Sequence, residues 1–396
     1  MHSDNFDFHQ LNETIIDSIS KCVRCRFCFS KCPVYQASEG WLIQGASGIT
    51  QSLYYSIKLN KIDNDIRDIL VRCTTCKSCE DLCERIMAGV SLVDAIIKGR
   101  QLILEKGLNP PKGQQNALES LQLRGNPYGK QPSKRLDWSK GLNLNVVKDG
   151  QNDISSLYYV GCTPSYDERV QNVSRSIAAI LTSTGKEFGV LQNEKCSGDP
   201  ARVMGELPLF EMLVQENTEM IKNAGIRQII TTSPHDFHCF KNEYPEEIKS
   251  LEILHYTELF ANMIDENKII FDHSINQKVV FHDPCYLGRY HKIFEAPRKI
   301  LSAIPGLVLL EMENSRENSL CCGGGGGRMW VDIDEKARTS ETRIKEALKL
   351  GARVIATACP FCLIHLEDAV KVLNKEKEIC VMDISEIMKE SLGLKN

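Results

Sequence analysis

The 396-residue sequence has no apolar run approaching the roughly 18 to 20 residues a membrane-spanning helix needs. Its opening segment, Met1 to Gln10, is polar and acidic. It lacks the basic and apolar regions of a secretory signal. The expected location is the cytoplasm, with peripheral docking on the cytoplasmic membrane face through a partner. There is no excess of basic charge either: the formal net charge is -4, which gives no support for nucleic acid or an anionic surface as partner. Nucleotide motifs are absent too. The glycine run Gly323 to Gly327 is not followed by Lys-Ser or Lys-Thr, and Arg328 stands where a dinucleotide fingerprint needs its third glycine. With no flavin, nicotinamide or nucleotide motif, electrons must come from another protein, and a hetero-oligomer is expected. What remains is an ordinary globular balance, 42% hydrophobic and 25% charged, over a length that suggests two or three domains.

What the sequence does have is 17 cysteines. A chain this long does not need disulfides to supplement its core, and a reducing cytosol would not keep them. Metal or cluster ligation is the better reading. Cys22, Cys25, Cys28 and Cys32 follow C-x-x-C-x-x-C-x-x-x-C, with Pro33 next; Cys73, Cys76, Cys79 and Cys83 repeat the spacing without the proline. This is the spacing of two-cluster bacterial ferredoxins, in which the fourth cysteine of each run ligates the other cluster. It predicts two cubane [4Fe–4S] clusters, one on Cys22, Cys25, Cys28 and Cys83, the other on Cys73, Cys76, Cys79 and Cys32. Structural zinc would call for two pairs rather than two matched quartets. Helical stretches at Ser52 to Leu59 and Ile62 to Leu70 make residues 1–108 a helical ferredoxin domain. Lys21, Arg24, Arg26, Lys31, Arg72, Lys77 and Arg85 interleave with the ligands, either as ordinary solvated charge or facing an acidic partner.

Residues 109–150 are rich in proline and glycine and read as a linker with one short helix near Gln115 to Leu123. Beyond it the chain reads twice, as modules at 151–270 and 271–396. In the second, strands Lys278 to His282, Leu307 to Met312 and Arg353 to Thr357 lead to Cys285, Cys321–Cys322 and Cys359-Pro-Phe-Cys362. Helices are expected after each, including Glu335 to Leu350. Strands alternating with helices predict parallel α/β sheets, whose sites gather at strand ends. In the first copy Leu157 to Val160 leads to Cys162, Lys195-Cys196 matches Cys321–Cys322, and Ser233-Pro-His-Asp236 matches Cys359-Pro-Phe-Cys362. Positions 322 to 359 and 196 to 233 are both 37 apart. The first copy thus keeps Cys162 and Cys196 and loses three ligand positions. It is a metal-free structural half, an extra metal site for zinc or another ion on Cys162, Cys196 and Cys239 or a histidine, or part of a substrate or partner surface. His282, Arg289, His291, Arg328 and His365 lie near the motifs as candidate proton donors or anion ligands. Cys380 is read as a buried apolar thiol, and Trp41, Trp138 and Trp330 as packing residues.

The set Cys285, Cys321, Cys322, Cys359 and Cys362, with CCGGGGGRMW and His282-Asp-Pro-Cys285, resembles the Cys-Cys-Gly signature of the cysteine-rich domain. The whole layout is similar to the D-type subunits of heterodisulfide reductases and to the iron–sulfur subunits of glycolate oxidase and anaerobic glycerol-3-phosphate dehydrogenase. The resemblance implies an α/β fold with an N-terminal α-helical ferredoxin domain and two tandem parallel α/β Cys-Cys-Gly modules. It implies a noncubane [4Fe–4S] cluster on those five cysteines, which are then also the catalytic residues, and reduction of a disulfide substrate there. It also implies redox partners: a flavoprotein, a haem-b membrane subunit or a small cysteine carrier protein. The other expectation is a non-catalytic electron-transfer subunit between a flavoprotein dehydrogenase or electron-transfer flavoprotein and a quinone-linked membrane partner.

Overall fold

The structure is a computed structural model that describes residues 6–86, 89–147, 154–331 and 338–394. The N-terminal region is helical. Helices Phe8–Ser20, Ala46–Lys58, Asn64–Val71 and Leu92–Glu105 each turn an apolar stripe inward. Ile15 with Ile19, Ile49 with Leu53 and Ile66 with Leu70 sit one turn apart and are buried together. Asp63 caps the third of these helices by accepting from the backbone of Asp65 and Ile66, as a carboxylate at this position does. The two helices expected between the cysteine quartets are therefore present.

Two parallel sheets follow. The first orders its strands β1-β3-β2-β4-β5, with β1 Asn145–Val147, β2 Ser156–Tyr159, β3 Gly189–Leu191, β4 Gln228–Thr231 and β5 Glu252–His255. The second orders them β7-β6-β8-β9, with β6 Lys278–Phe281, β7 Val308–Leu310, β8 Val354–Thr357 and β9 Cys380–Asp383. Every pairing is parallel. The central strands are apolar on both faces because helices cover both. The order β3-β2-β4-β5 repeats as β7-β6-β8-β9, so the tandem register of the sequence is a repeat of topology. Even the caps repeat: His255 after β5 and Asp383 after β9 each start a helix with a capping box, to Glu258 and Glu386. One hydrophobic core runs through both modules, from Tyr158 and Phe260 to Val280 and Leu366.

The segment 109–150 does more than connect. Its helix Lys112–Arg124 packs Leu118 and Leu121 against the first module's core, and β1 adds an edge strand to the first sheet. The helix expected at Glu335 to Leu350 is observed over Thr339–Lys349; residues 335–337 lie outside the described residues. Cys380 is not buried: it opens β9 with its side chain exposed, since the first residue of this edge strand faces solvent. Trp138 is a core residue as expected, whereas Trp41 is exposed.

Candidate iron–sulfur centre

The two quartets share one backbone. Arg24 and Arg26 are left-handed (φ 58 and 66), and so are Thr75 and Lys77, at the same places in their own quartet (φ 52 and 57). Left-handed backbone costs a non-glycine residue about 1 kcal/mol or more, so a pattern strained identically twice marks two loops wrapped around the same kind of object. The thiols of the two quartets lie close together: Cys83 lies by Cys25 and Cys22, Cys32 by Cys76 and Cys73 but also by Cys28, and Cys79 by Cys32, Cys76 and Cys73. Cys22, Cys25, Cys28 and Cys83 line a cavity of about 60 Å³. Burial pushes the Cys28 and Cys32 thiols up to about 12 and Cys73 to about 11. Thiols this hard to ionise shed their protons when a cationic centre takes the thiolate, and the donor set suits iron–sulfur ligation.

The five cysteines of the second module are all buried. Cys285 follows β6 at the start of helix Cys285–His291, Cys359 follows β8 as the cap of helix Pro360–Val372, and Cys362 lies in that helix's first turn. Cys321 and Cys322 sit in the long loop after β7. Their sulfurs form a hydrogen-bonded chain: Cys285 to Cys321, Cys321 to Cys322, Cys322 to Cys362, Cys362 to Cys359. The ring of His282 joins Cys322 and Cys362, all three donor atoms lying within 4.8 Å of one another. Burial, then the charge of Arg343, holds His282 down to about 3, so it is a neutral imidazole. Arg343 donates to its Nδ1 at 3.3 Å. The amides of Gly323 and Gly324 point at the sulfurs of Cys321 and Cys322.

The chain of sulfurs does not stop at the module boundary. Cys76 of the second quartet shares a hydrogen bond with Cys321 and packs beside Cys285. Around this junction Arg289 is buried and donates to the carbonyls of Cys76 and Ser319, each at 2.6 Å. Tyr290 donates to the Thr75 carbonyl at 2.6 Å. The glycine run makes the approach feasible. A Cβ on Gly325 would lie 2.4 Å from the Thr74 carbonyl oxygen and one on Gly326 2.3 Å from that of Cys73. Arg100 is buried and ties the region together, donating to Leu70, Cys73, Val203 and Gly326 carbonyls at 2.6 to 2.9 Å.

The first module is arranged differently. Cys162 and Cys196 share a hydrogen bond, but Arg135 donates to the Cys162 sulfur at 3.1 Å and pairs with buried Glu194. Glu194 in turn accepts from the Val160 and Gly161 amides at 3.0 and 2.8 Å. Among the described residues the converging ligand group is His282, Cys322 and Cys362; Cys162, Cys196 and Cys239 do not form one. A guanidinium on the sulfur is the wrong neighbour for a cation. Cys239 is buried away in a helical turn after His238. His235 reaches the other way. It pairs with Asp199 at 3.1 Å and hydrogen-bonds Cys359 of the second module. Burial alone would raise the Cys359 thiol, but the bonds from Cys362 and His235 bring it down to about 5. Of the remaining candidates, His291 contacts His238 at 3.1 Å, His365 contacts Met329 at 3.0 Å, and Arg328 donates to the Arg72 carbonyl. None of these three is in the sulfur chain.

A helical two-quartet domain ending in two repeated cysteine-bearing α/β modules defines a class of iron–sulfur protein. The 4Fe-4S dicluster domain matches residues 18–86, and the cysteine-rich domain matches twice, at 156–240 and 279–367. The D-type subunit of dihydromethanophenazine:CoB–CoM heterodisulfide reductase from Methanosarcina barkeri is 30% identical over 98% of this chain and 98% of its own length. A protein of Bacillus subtilis named "probable iron-sulfur-binding oxidoreductase FadF" is 36% identical over 81% of this chain and 46% of its own. EtfAB:quinone oxidoreductase of Syntrophomonas wolfei is 32% identical over 80% and 45%. The chain thus spans somewhat less than half the length of these last two. A crystal structure of a hypothetical protein from Helicobacter pylori shares the fold, with a TM-score of 0.52 at 11% identity over 97% of this chain and 77% of that one. The chain belongs to the family of iron–sulfur oxidoreductases with tandem cysteine-rich domains that includes the D-type heterodisulfide reductase subunits. No helix among the described residues is long and apolar enough to cross a membrane.

Proposed function

We propose that this subunit carries electrons through two [4Fe–4S] clusters to a noncubane [4Fe–4S] cluster on Cys285, Cys321, Cys322, Cys359 and Cys362, where a disulfide is reduced. The observation that supports it best is the contact of Cys76 with Cys321 and Cys285, which makes the sulfur ligands of the two domains neighbours. Bound clusters supply one-electron steps; cleaving a disulfide to two thiols takes two electrons and two protons. The chain's own residues hold the remaining requirements. Asp199 keeps His235 protonated beside Cys359, since the carboxylate's charge outweighs the burial that would strip the proton. That places a proton donor at one edge of the site, while neutral His282 lies at another. Arg289 fixes the Cys76 loop against the Ser319 loop.

The second reading, an electron-transfer subunit for a flavoprotein and a quinone-linked partner, draws on one feature. The pocket beside the site, lined by Cys162, His235, Asp236, Trp330 and Phe361, has a cavity volume of only about 20 Å³, about the room of one water. The experiment is anaerobic purification with iron and sulfide analysis, then thiol release from several disulfides driven by a reduced viologen dye. About twelve irons per chain with stoichiometric thiol release supports disulfide reduction. About twelve irons with no thiol release leaves electron transfer. About eight irons would refute a third cluster.

A further inference from the structure

The two cluster loops have the same backbone and opposite surroundings. In the second, the residues between the cysteines are covered: Thr74 is 1% exposed and Thr75 0%, beneath Gly325, Gly326, Tyr286 and Tyr290. In the first, Val23, at the place of Thr74, is 66% exposed, and Phe27, at the place of Ser78, is 61% exposed where Ser78 is 6% exposed. Cys25 itself is exposed, alone among the thirteen cysteines of the three expected cluster sites. Ile86, across the same cavity, is exposed as well. A loop that in one copy is covered by protein stands open in the other, with apolar side chains in water around the thiols nearest solvent.

The charges of the loop itself have one sign, with Glu84 the exposed acid beside Cys83 and Ile86. Lys21, Arg24 and Arg26 are exposed and Lys31 half-buried, and none has an ion-pair partner among the described residues. Arg24 is laid over the Tyr55 ring, 5.5 Å from its centre. In a chain of net charge -4 this is a local reversal. We propose that the Val23–Phe27 loop, with Ile86 and this basic rim, is the docking face for a one-electron redox protein whose own redox group lies under an apolar surface ringed by Asp and Glu. The apolar centre supplies contact, and the rim supplies orientation and encounter rate. The proposal rests on the electron-carrying reading above and names where electrons enter; it does not depend on what is reduced at the far end.

The test uses the holoprotein and flavodoxin hydroquinone, an acidic one-electron donor, with dithionite as the small donor. Cluster reduction by flavodoxin is followed by stopped flow across a range of salt. Steering of this kind changes rates by roughly 10- to 1,000-fold. Arg24→Glu/Arg26→Glu is therefore expected to slow reduction by at least about tenfold and to remove the salt dependence. A charge-matched pair in the second module, Lys345→Glu/Lys349→Glu, is expected to change neither. Iron content and the extent of cluster reduction by excess dithionite are expected to stay at wild-type values in both. Equal rates in the two variants, or no salt-dependent reduction of the wild type, overturn the proposal. So does loss of binding to phosphatidylglycerol vesicles in the first variant at an unchanged flavodoxin rate, which makes the face a lipid contact. Thiol release from a disulfide with dithionite as donor tests the terminal reaction independently.

Discussion

The two cysteine-rich modules have one topology and two uses of a buried cation. In the first, Arg135 points its guanidinium at the sulfur of Cys162 and balances it with Glu194. In the second, Arg298 forms a two-pronged pair with Asp283, two residues before Cys285, and its hydrogen bonds go to Asp283, Glu311 and a backbone carbonyl. One module gives its sulfur a cationic partner; in the other the five sulfurs meet one another, Cys76, His235 and glycine amides, and among the described residues no guanidinium donates to them. The loops after the cysteines diverge in step. After Cys196 the chain enters helix Asp199–Met204 through Pro200, whereas after Cys322 it stays irregular through five glycines and reaches the ferredoxin loop. The two modules thus differ in the surroundings of their cysteines while sharing the strand order β3-β2-β4-β5 and β7-β6-β8-β9.

This contrast can be broken at several points. Cys322→Ser is expected to lower iron from about twelve to about eight per chain and abolish turnover, while Cys196→Ser leaves iron unchanged; metal analysis of both decides it. Arg135→Ala strands Glu194 in the interior and is expected to destabilise the protein by about 3–5 kcal/mol, read as a fall in thermal midpoint, with Glu194→Gln in the same background recovering part of it. Gly325→Ala forces its Cβ onto the Thr74 carbonyl. A cost of about 1–3 kcal/mol is expected, together with slower reoxidation of the two quartets by the terminal site at full iron content.

The finest comparison is between the two helix caps. Burial lowers His255 to about 3, so its contribution is complete above the unfolded value near 6.5 and is lost as pH falls toward 3. Burial raises Asp383 to about 7, so its contribution is complete below the unfolded value near 3.9 and is lost as pH rises through 7. Between about pH 4 and 6.5 the two slopes oppose. Relative to wild type, His255→Asn is expected to make the slope of stability against pH more negative across that window, and Asp383→Asn more positive, each by at most about 1.4 kcal/mol per pH unit. Thermal midpoints at pH 5.0 and 6.5 measure the sign.

Much of this architecture is legible in the residues. The quartet spacing and the 37-residue register both depend on local geometry, a loop's reach and a βαβ repeat, which sequence distance encodes directly. The junction of Cys76 with Cys321 is not legible, because it joins loops from two domains whose relative placement no periodicity fixes. Arg100 escapes for another reason: its partners are backbone carbonyls, which every residue offers, so no complementary side chain betrays it; Arg289 is a candidate by position, but its role of holding the Cys76 and Ser319 carbonyls is not legible for the same reason. The only hint of Arg100 is a cation on the apolar stripe of helix Leu92–Glu105. Arg135 lies in a stretch that reads as linker, and its partner Glu194 looks like one more surface acid. The glycine run reads only as something other than a nucleotide loop; that it lets the backbone lie against Thr74 and Cys73 shows only in the fold.

Arg100 has a consequence for how such a protein can be inherited or engineered. One guanidinium holds the carbonyls of Leu70 and Cys73 from the helical region, Val203 from the first module and Gly326 from the second. Cutting the chain between any two of these parts leaves a buried charge facing missing acceptors. The three parts are therefore held as one unit by a shared buried cation and are not interchangeable modules.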